Sequence, residues 1–413
     1  MRTGQALVAN TLVRLAGSAT GVLVTLYLGF INRHLYHIGA GTVGLLAAIA
    51  YLVELLAALP LGALSDRLPI PHPRTVLLVS TSLVSVLALQ VTAASTDLHV
   101  IGLARALEAL ATAASVPALL ALLAAQADRS PALRGRLMAV FEATTALGLI
   151  AGPIVGSALW DPMGRLGIAL MGLPYAAAAV LFLGVREPEP HRPRPRVHLL
   201  RTAWQVLRLP AMRRIAPAWL VLNAVIGLWF THAVYQMTSG QRMGGQFLQG
   251  TMPSGRLSVI LLLYALTFSA GAVGWGGILA RVGEWRTLRI ALLGMLGVCA
   301  SLFVINHSGG HPATLVFGVL LFVACLLIES GFAPAAVSSL ARVSDVQPEQ
   351  RGLVMGLYSV ILGLGEALGA GLGGLVAGRA GMDGIIGLTV ALALVASVLV
   401  VRRPVPGVPD ERP

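Results

Sequence analysis

DRSPALRGRLMAVF, Asp128 to Phe141, returns as DVQPEQRGLVMGLY, Asp345 to Tyr358. Asp, Pro, Arg, Gly and Met recur at the same spacing, and Phe141 is answered by Tyr358. Each copy runs from polar into apolar sequence, and the copies stand 217 residues apart in a chain of 413. Pro117 and Pro334 match at the same offset, as do Gly148, Gly152 and Gly156 with Gly365, Gly369 and Gly373. At an offset of 214, Gly62 and Arg67 of GALSDRLP meet Gly276 and Arg281 of GILARVG. A repeat slightly longer than half the chain implies two similar halves joined by a longer loop.

The halves are apolar throughout. Hydrophobic residues make up 56% of the chain and charged residues 11%, against roughly 25% charged in soluble domains. Uncharged runs long enough to cross a bilayer occupy 15–32, 75–96, 109–127, 166–185, 215–241, 257–280 and 384–401. The uncharged stretch 290–328 is broken by NHSGGHP and reads as two spans. Residues 143–160 add another, as do 41–65, which carries Glu54, and 352–378, which carries Glu366. The expectation is an all-α membrane protein of 12 transmembrane helices in two six-helix pseudo-symmetric bundles. The first bundle is expected over 1–185 and the second over 215–403, with a linker at 186–214 and a tail at 404–413. Strands of a membrane barrel would alternate in segments of about ten residues, and these do not. Arg14 interrupts the first apolar run and no A-x-A site follows, so that run reads as an uncleaved first helix rather than a secretory signal.

All 29 basic residues are arginine. With a cytoplasmic N-terminus, Arg33, Arg165, Arg242, Arg256 and Arg379 fall on outer loops and Arg14 and Arg105 inside spans; the remaining 22 lie on inner loops and tails. That asymmetry places both termini in the cytoplasm of a cell's inner (plasma) membrane. It also accounts for the net charge of +12 as attraction to anionic lipid rather than to nucleic acid. Cys299 and Cys325 fall inside spans without C-x-x-C spacing and read as small apolar residues.

The segment between the second and third spans resembles the G-x-L-x-D-R-x-G-R-R fingerprint of the major facilitator superfamily, through Gly62, Leu64, Asp66 and Arg67. Pro69 stands where that family has glycine, and His72 and Arg74 supply later basic positions. The second half keeps Gly276, Arg281 and Gly283, while Ala280 replaces the acid. Arg105 and Glu108 are similar to the family's R-x-x-Q-G pattern, with Ala109 for its glycine. Gly148, Gly152, Pro153 and Gly156 resemble the G-x-x-x-G-P-x-x-G motif of its 12-helix drug:proton antiporters. The resemblance implies alternating access, with Asp66 accepting hydrogen bonds from the start of the eleventh span, near Arg351 and Gly352. Arg67 would pair with acids across the inner surface.

Each motif has a physical reason. Small residues let helices cross closely in lipid, and Pro153 removes one helix hydrogen bond. The glycine faces are therefore either an outward gate or plain close packing. DxxPxxRG forms the turn into the fifth and eleventh spans. Its Asp128, Arg134, Asp345 and Arg351 anchor the water boundary of a cytoplasmic gate together with Gly62, Asp66, Arg67, Arg281 and Gly283. The alternative is a shared turn with no gating role.

Ionisable residues inside spans cost about 2.5–3.5 kcal/mol each at the bilayer centre, which favours cavity-facing or paired positions. Glu54, Glu329 and Glu366 lie near mid-membrane and are the proton-coupling candidates, with Arg105 and Glu108. Glu142 is shallow. Arg14 is expected near the inner side. Arg105 is expected near the outer end, where it can snorkel or form a local ion pair with Glu108, one turn away. Either Glu54 or Glu329 would load and release the proton, with Arg105 modulating release.

Arg14, Asn223, Trp229, His232 and Tyr235 are the substrate-cavity candidates; an aromatic stripe packed on its neighbours is the alternative for the last three. Leu200, Ala203, Trp204 and Leu207 fit one face of an amphipathic helix lying on lipid. Residues 238–256 read as a plain outer connector, with a flexible lid as the alternative. The expected partners are a small-molecule substrate, protons and membrane lipids, with no nucleic acid, and a monomer is expected. No cofactor and no metal site is expected. The leading reading is a secondary transporter exporting amphipathic or drug-like compounds against protons. A sugar, peptide or metabolite permease of the same fold is the alternative. A membrane enzyme or a sensor comes last: no catalytic cluster and no P-loop G-x(4)-G-K-[ST] is present.

Overall fold

The computed structural model describes residues 3–35, 40–66, 68, 70–127, 130–185, 187, 199–233, 236–237, 243–250, 252, 254–346 and 351–401. Arg67, Asp128 and Tyr235 lie outside them, as do the side chains of Asp345 and Arg351. The described elements are α1 (Thr3–His34), α2 (Ala40–Ser65), α3 (Pro73–Ala94), α4 (Leu98–Ala127), α5 (Pro131–Met163), α6 (Arg165–Leu170) and α7 (Gly172–Leu183). There follow α8 (Leu199–Leu207), α9 (Pro210–Leu228), α10 (Ser254–Val282), α11 (Glu284–Asn306), α12 (Pro312–Glu329), α13 (Phe332–Val346) and α14 (Arg351–Val401). Among the described residues nine helical segments are long and apolar enough to span a membrane. Two shorter apolar helices, Leu52–Ser65 and Ile215–Leu228, and a break at Gly381 within α14 make this consistent with twelve spans.

The helix boundaries follow from local chemistry. Pro73, Pro210 and Pro312 occupy first-turn positions, where the missing N–H costs nothing. The Asp97 carboxylate caps α4 by accepting the His99 and Val100 N–H groups; the Val100 bond first, then the His99 bond, holds its pKa below the ordinary carboxylate value. Glu187 caps α3, accepting from the Arg74 and Thr75 N–H groups at 2.8 and 3.2 Å. Gly381 at φ 56° turns the chain from the eleventh span into the twelfth, a conformation that favours glycine. Large apolar side chains such as Leu87, Leu173, Leu293, Phe317 and Leu320 are exposed, while Asn10, Arg14, Thr20, Glu108 and Asn223 are buried. That inversion of the soluble pattern suits a lipid solvent.

Two compact units emerge from the packing. One holds Met1–Arg129, Ala143–Ala203 and Ser344–Val360; the other holds Ser130–Glu142, Trp204–Val343 and Ile361–Pro413. Each unit therefore takes the first turns of its counterpart's repeated helix. The opening stretch of sequence lies across this exchange.

In the first unit α3 packs on α4 and α7, α2 on α4, and α1 on α7. The glycines of α5 lie against α1. A Cβ at Gly148 would stand 2.6 Å from the Thr11 carbonyl oxygen and 2.8 Å from Arg14 Cβ. One at Gly152 would meet Ser18 Oγ and the Leu15 carbonyl oxygen, and one at Gly156 the Ala19 carbonyl oxygen. In the second unit Gly365 and Gly369 of α14 lie in the same way against α9, facing Leu220, Asn223 and Ala224.

One end of the second unit carries a folded cap, where the loop before α10 meets the end of α11 and the break in α14. Phe247 N–H donates to the Asn306 carbonyl at 2.6 Å and Leu248 N–H to Asn306 Oδ1 at 2.9 Å. Asn306 Nδ2 donates to Asp383 Oδ1, and His307 Nε2 lies 3.3 Å from Asp383 Oδ2. Gln246 and Gln249 bond the backbone on both sides of Gly381. Leu248 joins Leu228, Ile305, Met382 and Ile385 in an apolar cluster. Where described, this loop is thus a packed cap rather than the plain connector expected. Gln246 and Gln249 of the loop, with Asn306 at the end of α11, satisfy backbone carbonyl and N–H groups there, a job invisible to hydropathy.

Candidate functional site

The deepest polar cluster lies within the first unit. Arg14 of α1, Glu54 of α2, Arg105, Glu108 and Thr112 of α4, Ser18 of α1 and Tyr175 of α7 line a cavity of about 50 Å³. Arg14 Nη1 donates to Glu54 Oε1 at 2.8 Å. Arg105 Nη1 donates to Glu108 Oε2, and Tyr175 Oη donates to Glu108 Oε1 at 3.3 Å. Ser85 Oγ also donates to the Glu108 backbone carbonyl, at 2.7 Å. Two arginines thus face two carboxylates, so burial is offset by pairing.

Both arginines are held by carboxylates inside the unit. Arg14 stands 11 residues into α1, which begins at Thr3, about 16 Å along the helix at ~1.5 Å per residue, and meets Glu54 there. Arg105 does not snorkel. It is 3% exposed and turned inward, because Glu108 one turn away neutralises it inside the bundle. The local ion pair expected from their spacing is present.

The second unit holds the other deep carboxylate. Glu329 ends α12 where α11 crosses it; a Cβ at Gly294 would stand 2.6 Å from Glu329 N. Glu329 Oε2 is buried without a hydrogen-bond partner among the described residues. Tyr264 and Cys299 are near enough to feel its charge. Glu366 is half-buried, with its backbone packed on Gly227. Asn223 is buried and donates to the Trp219 carbonyl at 2.7 Å, while its Oδ1 has no partner among the described residues. Trp229 Nε1 donates to Thr389 Oγ1 at 2.9 Å, and Trp229 packs on the apolar cluster beneath the cap. The His232 ring fills the notch left by Gly373 from a π-helical turn at Trp229–Ala233. These two side chains are packed against neighbouring helices, which matches the aromatic-stripe alternative.

Just past the end of α2, Asp66 accepts from Leu353 N–H at 3.2 Å and from Arg74 Nη2 at 3.0 Å. Leu353 lies in the first turn of α14, where free N–H groups favour an anion. Arg74, noted in the sequence only as a late basic residue, is the cation beside Asp66. Gly62 accepts from Ser65 Oγ, and Gly356 lies against Ala58 and Leu59. In the second unit Gly135 of α5 lies against Gly276 and Leu279. Arg281 is exposed, and Gly283 precedes α11 at φ 84°. The missing acid at Ala280 has a substitute four residues on. Glu284 accepts from Ser338 Oγ at 2.6 Å, Ser339 Oγ at 3.2 Å and Arg342 Nε at 3.1 Å. The buried Arg134 is close enough to stabilise its charge. Glu284 escaped the sequence reading because it sits off the aligned register; an acid directly after Gly283 was the available signal.

The repeat, the helices and the deep ion pairs define a multi-span helical membrane carrier. Residues 6–346 match the profile of the Major Facilitator Superfamily, and the chain belongs to that family. It is a transporter and not an enzyme. Its fold is similar to the crystal structure of the human organic anion transporter MFSD10 (TETRAN), with a TM-score of 0.73 and 19% sequence identity over 97% of this chain and 100% of that one.

Proposed function

We propose that the protein is a proton-coupled secondary transporter that exports small amphipathic or drug-like compounds by alternating access. The observation that carries the proton is Glu329. Its buried Oε2 lacks a hydrogen-bond partner among the described residues, whereas Glu54 and Glu108 are held by arginines. A deep carboxyl without a cation is the group most easily neutralised by a proton. Glu54, with the more exposed end of its ion pair, is the other candidate, and Arg105, paired with Glu108, modulates release. The inner latch of Asp66, Leu353 and Arg74, with Glu284 as its counterpart, closes the cytoplasmic side; Arg67, Asp128, Asp345 and Arg351 are assigned to the same gate. The six-helix bundles at 1–185 and 215–403, joined by 186–214, move about these points.

The arginine distribution supports a plasma-membrane location with both termini in the cytoplasm. In α8 the inward face is Ala203 and Val206, while Trp204 is 57% exposed with Arg208 stacked 5.1 Å above its ring. An exposed Trp and Arg pair suits lipid headgroups. A monomer suffices, since the cavity described lies within one unit.

Substrate-driven proton flux in proteoliposomes tests the reading. Glu329→Gln should abolish it, by at least about a hundredfold, and Glu54→Gln should reduce it. Undiminished flux in both variants would overturn proton coupling through these groups.

A further inference from the structure

We infer that Arg14 is the docking point for an anionic head group on the transported compound, with Glu54 as the internal anion that holds its place. This inference deepens the transport reading and rests on it for the identity of the ligand as cargo.

The two ion pairs of the cavity differ in how firmly they are closed. The Arg105–Glu108 side chains are 3% and 2% exposed, and Glu108 is also held by Tyr175. Glu54 is 27% exposed while Arg14 is 8% exposed, and one N–O contact joins them. The arginine is the fixed member. Gly148 and Gly152 bring α5 onto the α1 backbone on either side of Arg14, and Ser18 Oγ donates to the Arg14 carbonyl at 2.9 Å. Glu54 is the movable one. It lies on α2 a turn and a half before Pro60, which removes the helix hydrogen bond to the Leu56 carbonyl and loosens that stretch.

Charge then selects the ligand. A buried guanidinium stripped of its carboxylate is strongly disfavoured, so Glu54 leaves only if another anion replaces it. A carboxylate or sulfonate matches the guanidinium fork and keeps the cluster neutral. A neutral head offers no replacement charge, and a cationic head adds repulsion. The cavity of about 50 Å³ bordering the pair admits such a head group and excludes the body of a drug-sized compound, which must lie beyond it.

The test uses the full-length purified chain and three forms of one naphthyl fluorophore, ending in a carboxylate, its primary amide or a trimethylammonium group. Wild type should bind the carboxylate about tenfold or more tightly than the amide, the scale of one charge-assisted bond, and the ammonium weakest. Arg14→Gln should erase the preference. Glu54→Gln, which leaves Arg14 with a neutral neighbour, should strengthen carboxylate binding by about tenfold. The double variant Arg14→Gln/Glu54→Gln removes both charges, should keep the thermal midpoint, and should bind carboxylate and amide alike. Equal binding of carboxylate and amide by wild type, or a carboxylate preference that survives in Arg14→Gln, would overturn the inference. So would unchanged carboxylate affinity in Glu54→Gln. Glu329→Gln should retain the carboxylate preference even where it stops proton flux, so a failure of proton coupling and a failure of the anion site give different results.

Discussion

The glycine face of α5 and the glycine face of α14 do the same mechanical work around different chemistry. In the first repeat Gly148 lies over Arg14 and Gly152 over Leu15; in the second Gly365 lies over Asn223 and Gly369 over Ala224. Arg14 and Leu15 correspond to Asn223 and Ala224 at a common offset of 209. The backbone crossing is thus copied, down to register, but the polar group beneath the first glycine is charged in one copy and neutral in the other. Around them the asymmetry continues. Arg105 and Glu108 correspond to Phe322 and Cys325, Glu54 to Phe268, and Glu329 to Thr112 at the repeat offsets. A duplicated scaffold can keep its packing because glycine against backbone tolerates no alternative, while side chains facing a cavity are free to diverge.

The crossings can be broken directly. Gly369→Ala should have the largest effect, since its Cβ would run into the Ala224 backbone and backbone cannot swing aside. Overpacking of this kind costs roughly 1–3 kcal/mol or more. It should appear as a lowered thermal midpoint and a loss of folded protein after detergent extraction. Gly156→Ala, against the Ala19 backbone, should behave alike. Matching losses would confirm that both faces are packing surfaces first; a Gly369→Ala protein with full stability would end the equivalence of the two crossings.

The inner ends come next. Asp66→Asn keeps the shape but weakens acceptance from Leu353 N–H and Arg74, and Glu284→Gln does the same for Ser338, Ser339 and Arg342. Bonds to a charged group are worth about 1.5–3 kcal/mol each, discounted where water reaches them. Both variants should lower transport and raise the reactivity of a thiol introduced on the inner side. If only Asp66→Asn does so, Glu284 is a local brace and the second repeat has no latch of its own.

The smallest effect lies at the third glycines. Gly156 faces backbone, whereas Gly373 faces the His232 ring and the Leu228 side chain, which can move. Gly373→Ala should cost less than Gly156→Ala, and His232→Ala should relieve it. A double variant no more stable than Gly373→Ala alone would show that the π-helical turn, rather than the imidazole, sets the spacing.

Much of this was legible before any coordinates. The twice-written turn at Asp128 and Asp345, the uncharged runs and the glycine spacing determined a duplicated helical membrane protein, because lipid leaves the backbone no other way to satisfy itself. The spacing of Arg105 and Glu108 determined their ion pair, because residues three apart share a helix face. Tertiary structure alone decided what requires knowing which helices meet. It paired Arg14 with Glu54 across 40 residues and, among the described residues, left Glu329 Oε2 without a partner. It put Arg74 beside Asp66 and Glu284 beside Arg342, and folded the Gln-rich outer loop into a cap. Hydropathy records how deep a residue sits; which charge answers it depends on the crossing of two helices, and that is a property of the packed chain.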